Sequence, residues 1–228
     1  MRRPGCSITG RGQFSRKLGD HDPAFGINWY ESLAYCRWLT TQAQLGESSQ
    51  CYDAPEPLPK DQEGNPLYDK VYLDRSGFRL PTDAEWEVAG RSGTQTAYSF
   101  GNDVQLLGQY GWFSGVSNKW SHPVGQLRPN LRGLFDIHGN VREWVHDRYG
   151  TESDGKLVED PSGPSRGSVR AYRGGGWGDV AAGCRTAYRF GDQPTGRSDL
   201  LGFRVAQVPV AGAELQPNRA NGAGSGGP

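Results

Sequence analysis

Hydrophobic and polar positions fall at helical spacing in only two places along this chain. Leu33, Ala34, Tyr35, Trp38 and Leu39 form one apolar stripe, and the segment before them, Asn28-Trp-Tyr-Glu31, has the form of a capping box. A helix is therefore predicted to start at Asn28 and to fade across residues 40–44, ahead of Gly46, with Tyr35 and Trp38 in the core. A second capping box, Thr82-Asp-Ala-Glu85, predicts a short helix carrying Trp86, Val88 and Ala89 and ending near Gly90. Between the two, residues 47–76 are polar and rich in Pro, Gly and Asp, and are expected to form an irregular insertion with a short strand at residues 70–73. Beyond Arg91 no helical period is sustained. Residues 141–145, 169–173 and 203–206 are predicted to be strands separated by turns. Residues 207–228 lose apolar content, end in a Gly-rich run, and are expected to hang free.

Composition sharpens this picture. The 34 glycines and 15 prolines, with seven tryptophans and ten tyrosines, suit a fold of turns pinned by large rings. At 228 residues one domain is expected, spanning 1–206. The 25 basic and 25 acidic side chains cancel, which argues against nucleic acid as a partner. No stretch approaches the roughly 20 apolar residues that span a bilayer, and no export signal is apparent. No membrane insertion and a cytoplasmic location are the resulting expectations. Four scattered cysteines, Cys6, Cys36, Cys51 and Cys184, are expected to be free thiols in a reducing compartment.

Catalytic patterns are sparse. His21, His122, His138 and His146 show no metal-ligand spacing with cysteine, and no Gly-x-Ser-x-Gly turn is present. The run Gly174-Gly-Gly176 leads into Trp177 and lacks the Lys and following helix of a phosphate loop.

Several motifs together resemble the formylglycine-generating enzyme (sulfatase-modifying factor) family: Gly77-Phe-Arg-Leu-Pro-Thr-Asp-Ala-Glu-Trp-Glu87, His122-Pro-Val-Gly125, Gly133-Leu-Phe-Asp-Ile-His-Gly-Asn-Val-Arg-Glu-Trp144, and the C-terminal stretch from Arg173-Gly-Gly-Gly-Trp177 through Cys184-Arg-Thr-Ala-Tyr-Arg189 to Leu201-Gly-Phe-Arg-Val-Ala206. The resemblance covers about residues 24–206. It implies an α+β, C-type-lectin-like fold with two helices, a small twisted antiparallel sheet and much irregular connection. It leaves the segment before the first helix short, so part of the N-terminal sheet is expected to be shortened or rebuilt.

The enzymes of this family bind copper through two cysteines and oxidise a substrate cysteine. Here Asp179 falls on the first cysteine position and only Cys184 on the second. A hard oxygen ligand does not replace a thiolate on Cu(I), so copper and the oxidase mechanism are not expected. The resemblance also implies a Ca2+ site on Asp136 and Glu143 with the carbonyls of Ile137, Gly139 and Val141, although Arg142 stands where the family usually has Trp. The other reading of the same residues is a structural turn in which Glu143 pairs with an arginine. The family's second metal site, near residues 110–114, has no clear match.

Some members of this fold family are variable proteins of diversity-generating retroelements, in which adenine-directed mutagenesis rewrites scattered positions inside a fixed frame. The frame is matched here by Arg173, Gly174, Gly175, Cys184, Arg185, Ala187, Arg189, Pro194, Arg197, Gly202, Phe203 and Arg204. Rewriting Asn codons at their first two bases yields no Lys, Glu, Gln, Met or Trp, and between Gly178 and Leu201 only Gln193 breaks that pattern. Trp177, Gly178, Asp179, Val180, Tyr188, Phe190, Gly191, Asp192, Gly196, Ser198, Asp199 and Leu200 would then line a surface for a protein or small-molecule ligand. In the competing readings Tyr188 and Phe190 are core aromatics, or the scaffold carries a divergent oxidase.

Overall fold

The computed structural model describes residues 19–53, 60, 64, 71–150 and 159–208; the expected free tail lies almost wholly outside the described residues, as does much of the expected insertion. Helix α1 runs Trp29–Gln42, and both halves of its capping box are made: Glu31 N donates to Asn28 Oδ1 at 2.9 Å, and Asn28 N donates to Glu31 Oε2 at 3.1 Å. Its buried residues are Trp29, Ser32, Leu33, Cys36 and Thr40, so the face turned inward is displaced from the predicted stripe. Tyr35 is 41% exposed and Trp38 half-buried. The inward turn is stable because the polar residues on it are satisfied: Thr40 Oγ1 accepts from Phe78 N at 2.9 Å and donates to Cys36 O at 3.0 Å. Tyr35 instead packs with Trp38 and Phe203 on the outside, ring centroids 5.3 Å from each.

Helix α2, Asp83–Arg91, starts at the second capping box and stops at Ser92, whose φ of 53° is left-handed. Strand β1 is Phe78–Arg79, β2 Arg142–Arg148, β3 Arg170–Arg173, β4 Phe190–Asp192, β5 Leu201–Phe203 and β6 Ala206–Gln207. Four of them form a sheet in the order β4-β3-β2-β5, antiparallel except for the β2–β5 pair, and β1 pairs antiparallel with β6. The predicted strand at 203–206 is thus two strands on two sheets, separated at Arg204 and Val205. The expected strand at 70–73 reduces, within the described residues, to an isolated bridge between Val71 and Tyr52.

Two tryptophans pin the sheet to the chain around α1. Trp29 Nε1 donates to Val145 O and Trp144 Nε1 to Ile27 O, each at 2.9 Å, so both indoles are buried with their one polar atom satisfied. Around them pack Leu33, Cys36, Cys51, Tyr52, Leu80, Tyr172 and Leu201, and a second cluster joins Trp86 to Ile137, Val145 and Ala171. Cys36, Cys51 and Cys184 are free and buried.

Asp147 on β2 is buried and accepts from Asp83 N, in the first turn of α2, at 2.8 Å. Burial pushes its carboxyl up to about 6. The folded chain therefore holds this proton more tightly than the unfolded chain, and its contribution to stability falls as pH rises from the usual carboxylate range through about 6. Asp147→Asn keeps an acceptor for Asp83 N and removes the titration. Relative to the parent it should gain on the order of 2 kcal/mol above pH 7 and lose that gain near pH 4, checked by thermal melts at both values.

Candidate binding surface

The C-terminal segment is mounted by arginines that reach α1, α2 and β2. Arg173, 2% exposed at the end of β3, donates to Asp83, to Glu87 Oε2 at 2.7 Å and to Thr186 O at 2.9 Å. Arg189 pairs with Asp83 at 2.6 Å. Arg197 grips both oxygens of Glu31 at 2.6 Å and Gly26 O at 2.9 Å, and Arg204 grips Glu143 at 2.5 and 2.6 Å. Arg185 is the exception in the frame: it is exposed, its guanidinium bonds among the described residues within its own turn, to Ala182 O at 3.0 Å, and it lies 5.6 Å over the Tyr188 ring. Gly175 has a φ of 72°, and a Cβ there would fall 2.7 Å from Cys184 Sγ, so this frame position excludes side chains on two counts.

Between these anchors the twelve predicted surface residues divide. Gly178, Val180, Asp192 and Asp199 are exposed, with Val180 at 67%, while Trp177, Asp179, Tyr188, Phe190, Gly191, Gly196, Ser198 and Leu200 are half-buried. None is fully buried. Some are nevertheless held by the frame. Phe190 stacks on Tyr172 with centroids 5.4 Å apart and packs against the main core, the contacts expected of its alternative reading as a core aromatic. A Cβ on Gly191 would fall 2.5 Å from Tyr149 Cγ. Tyr188 lies outside Phe190, 4.4 Å ring to ring, and Trp177 Nε1 donates to Asp199 O at 3.2 Å.

Asp179 is likewise tied to the scaffold. Arg142 Nε donates to Asp179 Oδ2 at 2.7 Å, a second guanidinium nitrogen reaches Oδ1, and Gly176 N donates to Oδ2 at 2.8 Å. The two departures from the enzyme pattern, an aspartate at a cysteine position and an arginine at a tryptophan position, thus meet in one bidentate ion pair. Hydrogen bonding to Asp179 raises the Arg142 pKa further above its ordinary value. Beside them Cys184 is buried, and burial, reinforced by the charge of Asp179, pushes its thiol up to about 12. A protonated thiol next to a carboxylate committed to arginine does not fit Cu(I).

The candidate calcium segment is a tight turn with left-handed backbone at Asp136 (φ 58°) and Asn140 (φ 67°), and Gly139 at φ 150°. Ile137, Gly139 and Val141 are buried within it. Asp136 Oδ2 accepts from Gly125 N at 2.8 Å, and burial pushes this carboxyl up. Glu143 is spent on Arg204 and on Trp86 Nε1, which donates to it at 2.6 Å. As placed, the donor set does not fit a calcium ion held by Glu143, because the guanidinium of Arg204 already occupies that carboxylate. Among the described residues no group of three or more His, Cys, Asp and Glu side chains could hold a metal, and no helix is long and apolar enough to cross a membrane.

The sequence reading missed Asp83 as the acceptor shared by Arg173 and Arg189, and the Arg142–Asp179 pair. Both halves of the latter had been singled out separately.

Comparison with known proteins accords with this geometry. The model of the sulfatase-modifying factor enzyme 1-like domain matches residues 3–209, reaching further toward the N-terminus than the motifs do. Serine/threonine-protein kinase pkn1 of Chlamydia caviae is 36% identical over 189 residues, 81% of this chain and 24% of the kinase's own length. Formylglycine-generating enzyme of Streptomyces coelicolor is 34% identical over 180 residues, 67% of this chain and 56% of the enzyme. Among solved structures, Treponema denticola variable protein 1 superposes with a TM-score of 0.74 at 31% identity, covering 89% of this chain and 77% of that one. The chain spans about a quarter to just over half of these curated relatives, and it belongs to the family of sulfatase-modifying factor enzyme 1-like domains.

Proposed function

We propose that the chain is a non-catalytic binding module, the variable protein of a diversity-generating retroelement, which presents residues 178–200 to a ligand. The observation that carries this reading is the Arg142–Asp179 pair: a salt bridge fills the place where the family's oxidases use a thiol, and it braces the segment that would vary. The likeness to Treponema denticola variable protein 1 supports it, as does a frame of ion-paired arginines and buried glycines interleaved with exposed Val180, Asp192 and Asp199. Loop residues mounted this way change without disturbing the core.

Sequencing the DNA flanking this reading frame tests the proposal. The expected result is a near-copy of the stretch encoding residues 169–206, differing almost only at adenines and lying beside a reverse-transcriptase gene. Absence of any such copy in the complete genome would remove the diversification reading.

A further inference from the structure

The segment 178–200 does not stand alone at the surface. Ser114 N donates to Asp179 O at 2.9 Å and the buried Ser117 Oγ donates to Trp177 O at 2.7 Å, so residues 114–117 run alongside residues 177–179 and carry the tip at 118–120 next to them in the chain. This neighbouring loop is stiff. Val116 N and Ser117 N both return to Phe113 O, Lys119 N bonds Ser117 Oγ at 3.2 Å, and His122 Nε2 lies 2.8 Å from Ser117 O while its ring stacks on Trp112 at 3.7 Å. Asn118 and Lys119 are both left-handed, at φ of 55° and 65°, which makes a tight tip. The loop exposes Val116, Lys119 and Trp120, the last at 38%.

Charge and shape describe what would sit there. Lys119 and the frame residue Arg185 are exposed cations with no ion pair among the described residues, whereas Arg142 is neutralised by Asp179. The exposed carboxylates Asp192 and Asp199 belong to the positions that would vary. The fixed contribution to the surface is therefore positive and aromatic. Clefts of about 370 and 290 Å3 lie over Trp86 and between Asp83 and Arg189, and no exposed position of the segment lines either. Small molecules favour enclosure, whereas Trp, Tyr and Arg are the residue types that dominate protein interfaces.

Resting on the display reading above, we infer that residues 114–120 form a fixed half of the binding surface, with Lys119 and Trp120 selecting a protein partner that presents an apolar side chain flanked by carboxylates. The fixed half supplies general affinity and the segment 178–200 supplies specificity.

A library of the full chain randomised at Val180, Tyr188, Asp192 and Asp199 separates the possibilities. It is panned against two proteins of one fold and opposite charge, acidic α-lactalbumin and basic lysozyme. The inference expects binders mainly to α-lactalbumin, each weakened tenfold or more by Trp120→Ala and several-fold by Lys119→Glu, with melting temperatures unchanged. Binders indifferent to both substitutions, or equally frequent against lysozyme, overturn the inference and leave the display reading standing. A folded library that yields no binder to either protein overturns both. If Trp120→Ala lowers the melting temperature, Lys119→Glu decides alone.

Discussion

Arg173→Ala should lower the melting temperature more than any other single replacement of a frame arginine. Its guanidinium joins α2, through Asp83 and Glu87, to the carbonyl of Thr186 in the C-terminal segment, and it is almost wholly buried. Removing it leaves the buried carbonyl of Thr186 without its donor and takes from Asp83 and Glu87 one of two arginine partners each, Arg189 and Arg91 being the others. Breaking one side of such a buried pair costs about 3–5 kcal/mol, which is roughly 10 °C for a domain of this size. Arg173→Lys should not restore the loss, because an ammonium cannot reach three acceptors from one plane. Calorimetry on the three proteins checks both statements, and a loss under about 1 kcal/mol for alanine would show that Arg189, which also reaches Asp83, takes over the role.

The second large effect concerns Arg142 and Asp179. Either Arg142→Leu or Asp179→Leu alone should cost about 2–4 kcal/mol, since each leaves a largely buried charge without its partner. Asp179→Leu additionally orphans Gly176 N, which donates to that carboxylate. The double replacement should cost less than the sum, with a coupling of about 1–3 kcal/mol in a double-mutant cycle from urea unfolding. Additive losses would mean that the pair braces nothing and that Asp179 is an ordinary display position.

Legibility followed the range of the interactions. Both capping boxes lie within four consecutive residues, so Asn28–Glu31 and Thr82–Glu85 placed the helices correctly from sequence alone. Strands β2 and β3 came within a few residues for the same reason, since a run of β-branched and aromatic residues signals itself. Strand β4, Phe190–Asp192, was missed: its three residues are too few to show a period, and its partner Tyr172 is remote in sequence. The inward face of α1 was misplaced because it includes the polar residues Ser32 and Thr40: Ser32 is satisfied by Trp29 O within the helix, but Thr40 accepts from Phe78 N, on a strand almost forty positions away. At the site, Asp179 and Arg142 each stood out as departures from a family pattern, but only the folded chain brings their side chains together. Asp83 left no local trace of its shared role, because its partners Arg173 and Arg189 lie far along the chain.

Strand β2 has one further implication. Glu143 pairs with Arg173 on one side and with Gly202 on the other. The interval from Arg173 to Gly202, which also supplies the edge strand β4, is therefore bounded by the two backbone partners of a single residue. Replacing this interval as one cassette would put both of its seams on backbone that is already paired, so the junctions themselves would keep the sheet's register.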